Sequence, residues 1–443
     1  MPRDSRPFGR LLGLPKIAPE PGLARMGALL EPLTQTPWWR RLDAIKVTGS
    51  NGKGSVARIL ASILRQLEVS HGLYTSPHWR DPRERIQVDG AWISEEELER
   101  AVDGFETRRA AWLEDHPDQE PLIFEALTAV ALHHFQQTQP ETVIAEVGIG
   151  GRDDPVRLVP GRLSILVSVD REHTQLLGDS LEDILRTKAD VAAPGSTLLC
   201  GPLPESTSPP ESTSPPTSIL RQSLATHCQS RGIDLVLADE LDDPEGLRDI
   251  PCALHGEHQT RNARLAIRAA WLWLQRHRPD LDPRHFETAV HRGLAEVRFP
   301  GRLEKVRDAP PVWVDVAHTP RAVQALTEAL GSVEKRPVLL VVGLSEGRAM
   351  EPLLSPLLSI ADRILVTRAH HRGADPARVA GAAEGLAPNL VIRIAEAIDD
   401  AMPQALASAA EHGLAVLVAG GLFLGAEAVA ILEGREPRDL EFF

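Results

Sequence analysis

Residues 42–48, LDAIKVT, read as a buried strand that runs straight into GSNGKGS, and SVARILASILRQL at 55–67 then repeats apolar residues at helical spacing. A glycine-rich loop between a strand and a helix start is the setting of a phosphate site, because the first N–H groups of the helix point outward. This one feature constrains the fold strongly, since the loop needs a buried strand behind it and a covered sheet around that strand. Its spacing is unusual. The common form G-x-x-x-x-G-K-[ST] is shortened here to two residues between Gly49 and Gly52, and Gly54 follows Lys53 before Ser55 arrives. Gly49, Gly52 and Gly54 let backbone N–H groups close on phosphate oxygens. Lys53 adds a positive charge for the β/γ-phosphates, and the hydroxyl of Ser55 or of Ser50 can reach Mg²⁺.

The rest of the chain supplies the covered sheet. HGLYTS, TVIAEV and LSILVSV are short apolar β-rich runs, as expected of strands covered on both faces. Ser94 and the acids after it open one helix, and IFEALTAVALHHF is another, mostly buried. Strands alternating with helices imply a mainly parallel α/β sheet. After RFPGRLEK a second series begins: PVWVDVA, PVLLVVG, RILVT, LVIRIA and LAVLVAG are five strand candidates separated by helical stretches. They form a doubly wound unit of their own. The expected fold is therefore α/β, with an N-terminal P-loop ATPase-like domain over 1–297 and a smaller C-terminal doubly wound domain over 298–443. A ligand shared by two such domains would lie in the cleft. Residues 204–218, PESTSPPESTSPPTS, are a short tandem repeat read as a disordered surface loop.

Composition narrows the partners. The net charge is −14, which argues against a general nucleic-acid binder, so any anionic ligand must be held by local positive groups. No apolar run approaches the roughly 18 residues of a membrane span, and the basic N-terminus has no long apolar stretch after it. Three scattered cysteines fit a reducing cytoplasm rather than a disulfide framework or zinc cluster. The expectation is a cytoplasmic protein, free of membrane and nucleic acid, and a monomer.

Further candidates sit at strand ends. Glu146 closes TVIAE at the carboxyl edge, where α/β sheets place ligands, and a carboxylate there suits Mg²⁺. His173 follows the next strand, and Lys188 lies on the helix after it. Arg302 stands just past the domain boundary, and Asp315 and His318 end the first strand of the second domain. Taken singly, each is also what an ordinary strand end or solvated side chain looks like.

Their combination is not ordinary. VTGSNGKGS, GLYTSPH, RERI, FEALTAVAL, AEVGIGGRDD, EHTQLLGDSLEDILRTKADV, HGEHQTRNA, PGRLE, DVAHTP and GGLFLGAE occur in order from Val47 to Glu427. In this the chain resembles the folylpolyglutamate synthase and dihydrofolate synthase family of Mur-ligase-like amide ligases. The resemblance implies a Mur-ligase central-type ATP-binding domain and a glutamate-ligase C-terminal domain. It implies ligation of L-glutamate to a pteroate or folate through an acyl phosphate, with ATP and Mg²⁺. It places Gly49, Ser50, Asn51, Gly52, Lys53, Gly54 and Ser55 in the triphosphate cradle, with Asn262, Arg302, Asp315 and His318 as further nucleotide contacts. Ser76, Glu146 and His173 match Mg²⁺ ligands, Lys188 matches a lysine that becomes carbamylated, and Phe124 and Asp154 match pterin-side positions. Lys53, Lys188, His173 and Arg302 are the catalytic set.

The chain also departs from the family pattern. GGRDDPVR stands where GGRLDATN is common, so Asp153, Pro155, Val156 and Arg157 differ beside the expected acceptor pocket. Val316 and Thr319 change DGAHNP, SEGRAM replaces a DKD segment, and Gly421 replaces a serine. These changes keep open a related ligase that joins an amino acid to a different carboxylate. A nucleotide-binding regulator without turnover is the third reading, and the retained Lys53, Glu146, His173 and Lys188 speak against it.

Overall fold

The computed structural model describes residues 6–16, 22–204, 216–241, 247 and 250–442. Most of the tandem repeat, 205–215, lies outside the described residues. The chain divides into two compact units: 1–78, 82–251 and 261–297 in the first, and 79–81, 252–260 and 298–443 in the second. The N-terminal 297 residues thus lend two short stretches to the second unit.

The first unit is built on eight strands: β1 (Ile45–Thr48), β2 (His71–Tyr74), β3 (Ile86–Val88), β4 (Ala91–Trp92), β5 (Thr142–Glu146), β6 (Leu163–Leu166), β7 (Thr197–Cys200) and β8 (Asp234–Leu237). Their order is β4-β3-β2-β5-β1-β6-β7-β8. Only the β4-β3-β2 end is antiparallel. β1 is buried throughout and pairs in parallel with β5 on one side and β6 on the other. The chain leaves β1 toward β2 but leaves β5 toward β6, so the connections part at β1. Such a switch point opens a crevice at the strand carboxyl ends.

The helix Lys53–Gln66 covers this sheet with Val56, Ile59, Leu60, Ile63 and Leu64, each buried. A side chain of that kind contributes about 1.5–3 kcal/mol when fully buried. The helix Pro283–Glu296 packs on its outer side through Gly293, where an added Cβ would meet the Ile63 Cα at 3.0 Å. Ser94 and Glu97 form a reciprocal capping box at the start of Glu95–Asp115, as their spacing leads one to expect.

The second unit holds β9 (Glu304–Asp308), β10 (Pro311–Val314), β11 (Val338–Val342), β12 (Arg363–Val366), β13 (Val391–Ile394) and β14 (Ala415–Ala419), ordered β13-β12-β11-β14-β10-β9. All pair in parallel except β9, which runs antiparallel to β10. The five expected strands are present. The sixth, β9, is a solvent-facing edge without an apolar run, so its sequence carries no strand signal. Both faces of the sheet are covered: Leu340, Val342 and Leu417 enter one core, and Leu339, Val341 and Val416 enter the other. Trp79 belongs to the latter core and lies close enough to Gly425 that a Cβ there would meet its ring at 2.8 Å. Among the described residues no helix is long and apolar enough to cross a membrane.

Candidate active site

The glycine loop leaves β1 as an arch held from outside. Gly49 has φ +146° and Gly52 φ +84°, and Gly52 caps the helix Lys53–Gln66. A Cβ at Gly52 would fall 2.7 Å from Asn262 Oδ1 and 3.0 Å from Val167 Cγ1, so glycine is required by space as well as by conformation. Ser168 clasps the arch: its Oγ accepts from Asn51 N and donates to Asn51 O, each at 2.9 Å. Asp170 accepts from Asn51 Nδ2 at 2.7 Å, and its own N–H donates to Ser50 Oγ at 2.9 Å. The Ser50 hydroxyl is thereby engaged by Asp170, beyond β6, while Ser55 sits buried in the first helical turn. The Lys53 ammonium donates to Gly49 O at 2.8 Å. Together these contacts preform a positive arch at a helix N-terminus, the geometry that receives an anion.

Glu146 ends β5, beside β1, and is 3% exposed. Its Oε2 accepts from Ser76 N at 3.0 Å, because Ser76 follows β2 and β2 pairs with β5. His173 is exposed, with φ +46°, at the start of the short helix Thr174–Leu177. Among the described residues there is no cluster of three His, Cys, Asp or Glu side chains able to enclose a metal. Mg²⁺ is ordinarily held by one or two carboxylates with waters and substrate phosphates. A buried carboxylate against a serine at the edge of a phosphate loop fits that donor set.

Lys188, on the helix Leu181–Ala189, is 1% exposed and donates from Nζ to Glu172 Oε1 at 2.9 Å. Burial pushes the ammonium below the ordinary lysine range; Glu172 opposes this, and the charge of Lys53 reinforces it. Burial pushes Glu172 upward, but Lys188 and Lys53 outweigh it and hold the carboxyl below its ordinary value.

Phe124 lies over Gly148, where a Cβ would meet its ring at 2.6 Å, and its centroid is 6.1 Å from that of Tyr74. Asp154 is 4% exposed and accepts three backbone N–H groups: Gly148 at 2.9 Å, Ile149 at 3.2 Å and Val156 at 2.9 Å. Burial nevertheless pushes its carboxyl up to about 7, against those bonds and the charge of Lys53. Asp154 therefore shapes the loop it sits in.

In the second unit, Asp315 is buried at the end of β10 and accepts from Leu303 N and Ala317 N, both at 2.7 Å. Burial raises its carboxyl, and Arg302 works against that. The Arg302 guanidinium lies 5.0 Å from the centroid of the Phe299 ring. His318 is exposed, with Nδ1 3.0 Å from Val316 O.

The structure thus joins Gly52 with Asn262, Ser76 with Glu146, Phe124 with Gly148 and Arg302 with Asp315. Sequence reading missed Glu172, Ser168 and Asp170. All three lie between the end of β6 and His173, so the available signal was their place just past a strand end near a candidate.

Comparison with known proteins follows the same lines. Residues 301–422 match the family model described as the Mur ligase, glutamate ligase domain. The chain is 32% identical over 428 residues to a probable bifunctional folylpolyglutamate synthase/dihydropteroate synthase of Halobacterium salinarum, covering 94% of this chain and 50% of that protein. It therefore spans half the length of that relative. It is 32% identical to a dihydrofolate synthase/folylpolyglutamate synthase of Bacillus subtilis, covering 74% of this chain and 76% of that one. The folylpolyglutamate synthase of Mycobacterium tuberculosis, solved with ADP and AMPPCP, superposes with a TM-score of 0.80 at 26% identity, covering 94% and 96% of the two chains.

Proposed function

The chain belongs to the folylpolyglutamate synthase and dihydrofolate synthase family, and from that premise we propose that it is an ATP-dependent ligase joining L-glutamate to dihydropteroate, to reduced folates, or to both. One observation carries the reading. The glycine arch, Glu146 and the Glu172–Lys188 pair gather at the carboxyl ends of three neighbouring parallel strands, β1, β5 and β6. The solved mycobacterial relative holds nucleotide, which supports ATP as the phosphoryl donor here.

The proposed course has two steps. An acceptor carboxylate oxygen bonds to the γ-phosphorus of ATP as the bond to the β-phosphate oxygen breaks, giving an acyl phosphate and ADP. The glutamate amine then bonds to the carbonyl carbon, phosphate leaves, and the nitrogen loses a proton. Phosphorylation turns a poor electrophile into one with a good leaving group. Positive groups fixed around the transferring phosphoryl stabilise its charge without reorganising. In this reading the arch 49–55 and Asn262 cradle the nucleotide, and Arg302, Asp315 and His318 of the second unit are further nucleotide contacts. Ser76, Glu146 and His173 would hold Mg²⁺, which when bound supplies charge neutralisation at the phosphates. Phe124 would stack on a pterin and Asp154 would pair with its amino-pyrimidine edge. Lys188 is proposed to be carbamylated: a neutral amine adds to carbon dioxide and releases a proton, and burial beside Lys53 favours that neutral form.

A nucleotide domain within 1–297 and a glutamate-ligase domain built mainly from 298–443 are part of this proposal, as are a cytoplasmic location and a monomeric state. A different carboxylate acceptor is the second reading, favoured by the GGRDDPVR stretch around Asp154. The deciding assay measures phosphate release from ATP with L-glutamate, offering dihydropteroate or tetrahydrofolate, with product mass read in parallel. Gain of one glutamate on dihydropteroate supports the synthase activity, and repeated gains on tetrahydrofolate support polyglutamylation. Silence with both acceptors from nucleotide-binding protein overturns the folate assignment.

A further inference from the structure

The stretch that departs most from the family pattern, 150–157, is tied to its surroundings at several points. Thr48, the last residue of β1, donates from Oγ1 to Gly150 O at 2.6 Å, which ties the stretch to the strand that carries the glycine arch. Gly151 then lies so close to the end of the helix Leu181–Ala189 that a Cβ would meet Lys188 O at 2.6 Å and Thr187 O at 2.9 Å. Arg152 continues the grip. Its backbone N–H donates to Thr187 O at 2.9 Å, and its Nε donates to Asp190 Oδ2 at 2.7 Å. Arg157, where the family pattern has asparagine, donates from Nη1 to Arg152 O at 2.7 Å and closes the stretch on itself.

Asp190 is the fixed end of this clasp. Its side chain is 2% exposed, whereas that of Arg152 is 48% exposed. Its other oxygen faces His227 Nε2 at 2.8 Å and Arg231 Nε at 3.1 Å, from the next helix and its end. A buried carboxylate held by two guanidinium groups and an imidazole does not move cheaply. Arg152 is thus the adjustable member, and it sits two residues from Asp154 in sequence while its partner Asp190 sits two residues from Lys188.

We infer that Arg152 and Asp190 are positioning residues, helped by Arg157, that lock the acceptor-side stretch 150–157 onto the end of the Lys188 helix. An acceptor held at 148–154 and the amine of Lys188 then keep one fixed separation. This rests on the acceptor role proposed above for Asp154. The clasp makes acceptor choice a property of a rigid stretch rather than of a loop that adapts.

The test uses the full chain with Arg152→Gln, Asp190→Asn, Arg157→Asn and the Arg152/Asp190 double variant. Backbone amide hydrogen exchange is read first, since it needs no acceptor. Loss of a hydrogen bond to a charged group should speed exchange about tenfold or more in 150–157 and in 187–190 together. The double variant should exchange no faster than the worse single one, because the two residues act through one contact. In turnover, the acceptor KM should rise about tenfold in both single variants while the ATP KM and ADP affinity stay within about twofold. Arg157→Asn should shift the ratio of dihydropteroate to tetrahydrofolate use. Unchanged exchange in Arg152→Gln overturns the clasp, as do fully additive effects in the double variant. A parallel fall in ADP affinity also overturns it, since that marks general damage. Wild-type protein silent with both folates but showing the exchange result keeps the clasp and sinks the folate reading instead.

Discussion

Lys188 Nζ lies 2.9 Å from Glu172 Oε1, with the lysine almost wholly buried and Lys53 close enough to disfavour its charge. The carboxylate therefore opposes the downward push that burial and Lys53 exert on this amine. Glu172→Gln removes that opposition. We expect native mass spectrometry in bicarbonate to find a larger carbamylated fraction in the variant than in the wild type. A stability loss of about 1–3 kcal/mol should accompany it, from the weakened charge-assisted bond. An unchanged carbamylated fraction would show that Glu172 does not control the amine.

Lys53→Ala should cut turnover sharply while leaving the fold intact, because the side chain is half-buried and its hydrogen bonds stay within its own loop. Loss of one preorganised donor to a developing anion lowers kcat by about 10²–10³. Steady-state phosphate release, with circular dichroism as the folding control, checks this. Retained turnover would remove Lys53 from the catalytic set.

Gly52→Ala meets two obstacles at once. The residue occupies the left-handed region, and its new methyl would press on the Asn262 amide. The backbone term alone costs about 1–2 kcal/mol. We expect a lower melting temperature and weaker ADP binding by calorimetry. Full ADP affinity in the variant would show that the arch tolerates distortion.

Asp154 gives a pH signature. Its carboxyl is raised to about 7, so between about 4 and 7 the unfolded chain has released this proton and the native protein has not. The unfolded state binds fewer protons in that window, and stability falls as pH rises through it. Acceptor binding should run the other way, because a pterin edge offers two donors and pairs best with the ionised carboxylate. The acceptor KM is expected to fall as pH rises past about 7, and Asp154→Asn should flatten both the stability slope and the KM profile. A KM profile that keeps its shape in Asp154→Asn would separate this residue from the acceptor.

Much of this architecture was readable in the chain because its signals are local. The strand–loop–helix at 42–67, the Ser94 cap and the five apolar runs of the second unit each declare themselves within a few residues. The elements that escaped, β9 above all, pair through backbone groups with solvent-facing side chains and so leave no apolar pattern. Trp79 is another case: nothing near it in sequence tells that it packs on Gly425 in the core of the second unit.

The same division runs through the candidate site. The motifs taken together nominated Lys53, Glu146, His173 and Lys188, though singly each reads as an ordinary strand end, turn or helix residue. Partnership was not in the motifs. That Glu172 faces Lys188, that Ser76 reaches Glu146 across adjacent strands, and that Arg152 reaches Asp190 all depend on which strand lies beside which. That in turn depends on burying both faces of each sheet at once, a condition on the whole unit that no single segment contains.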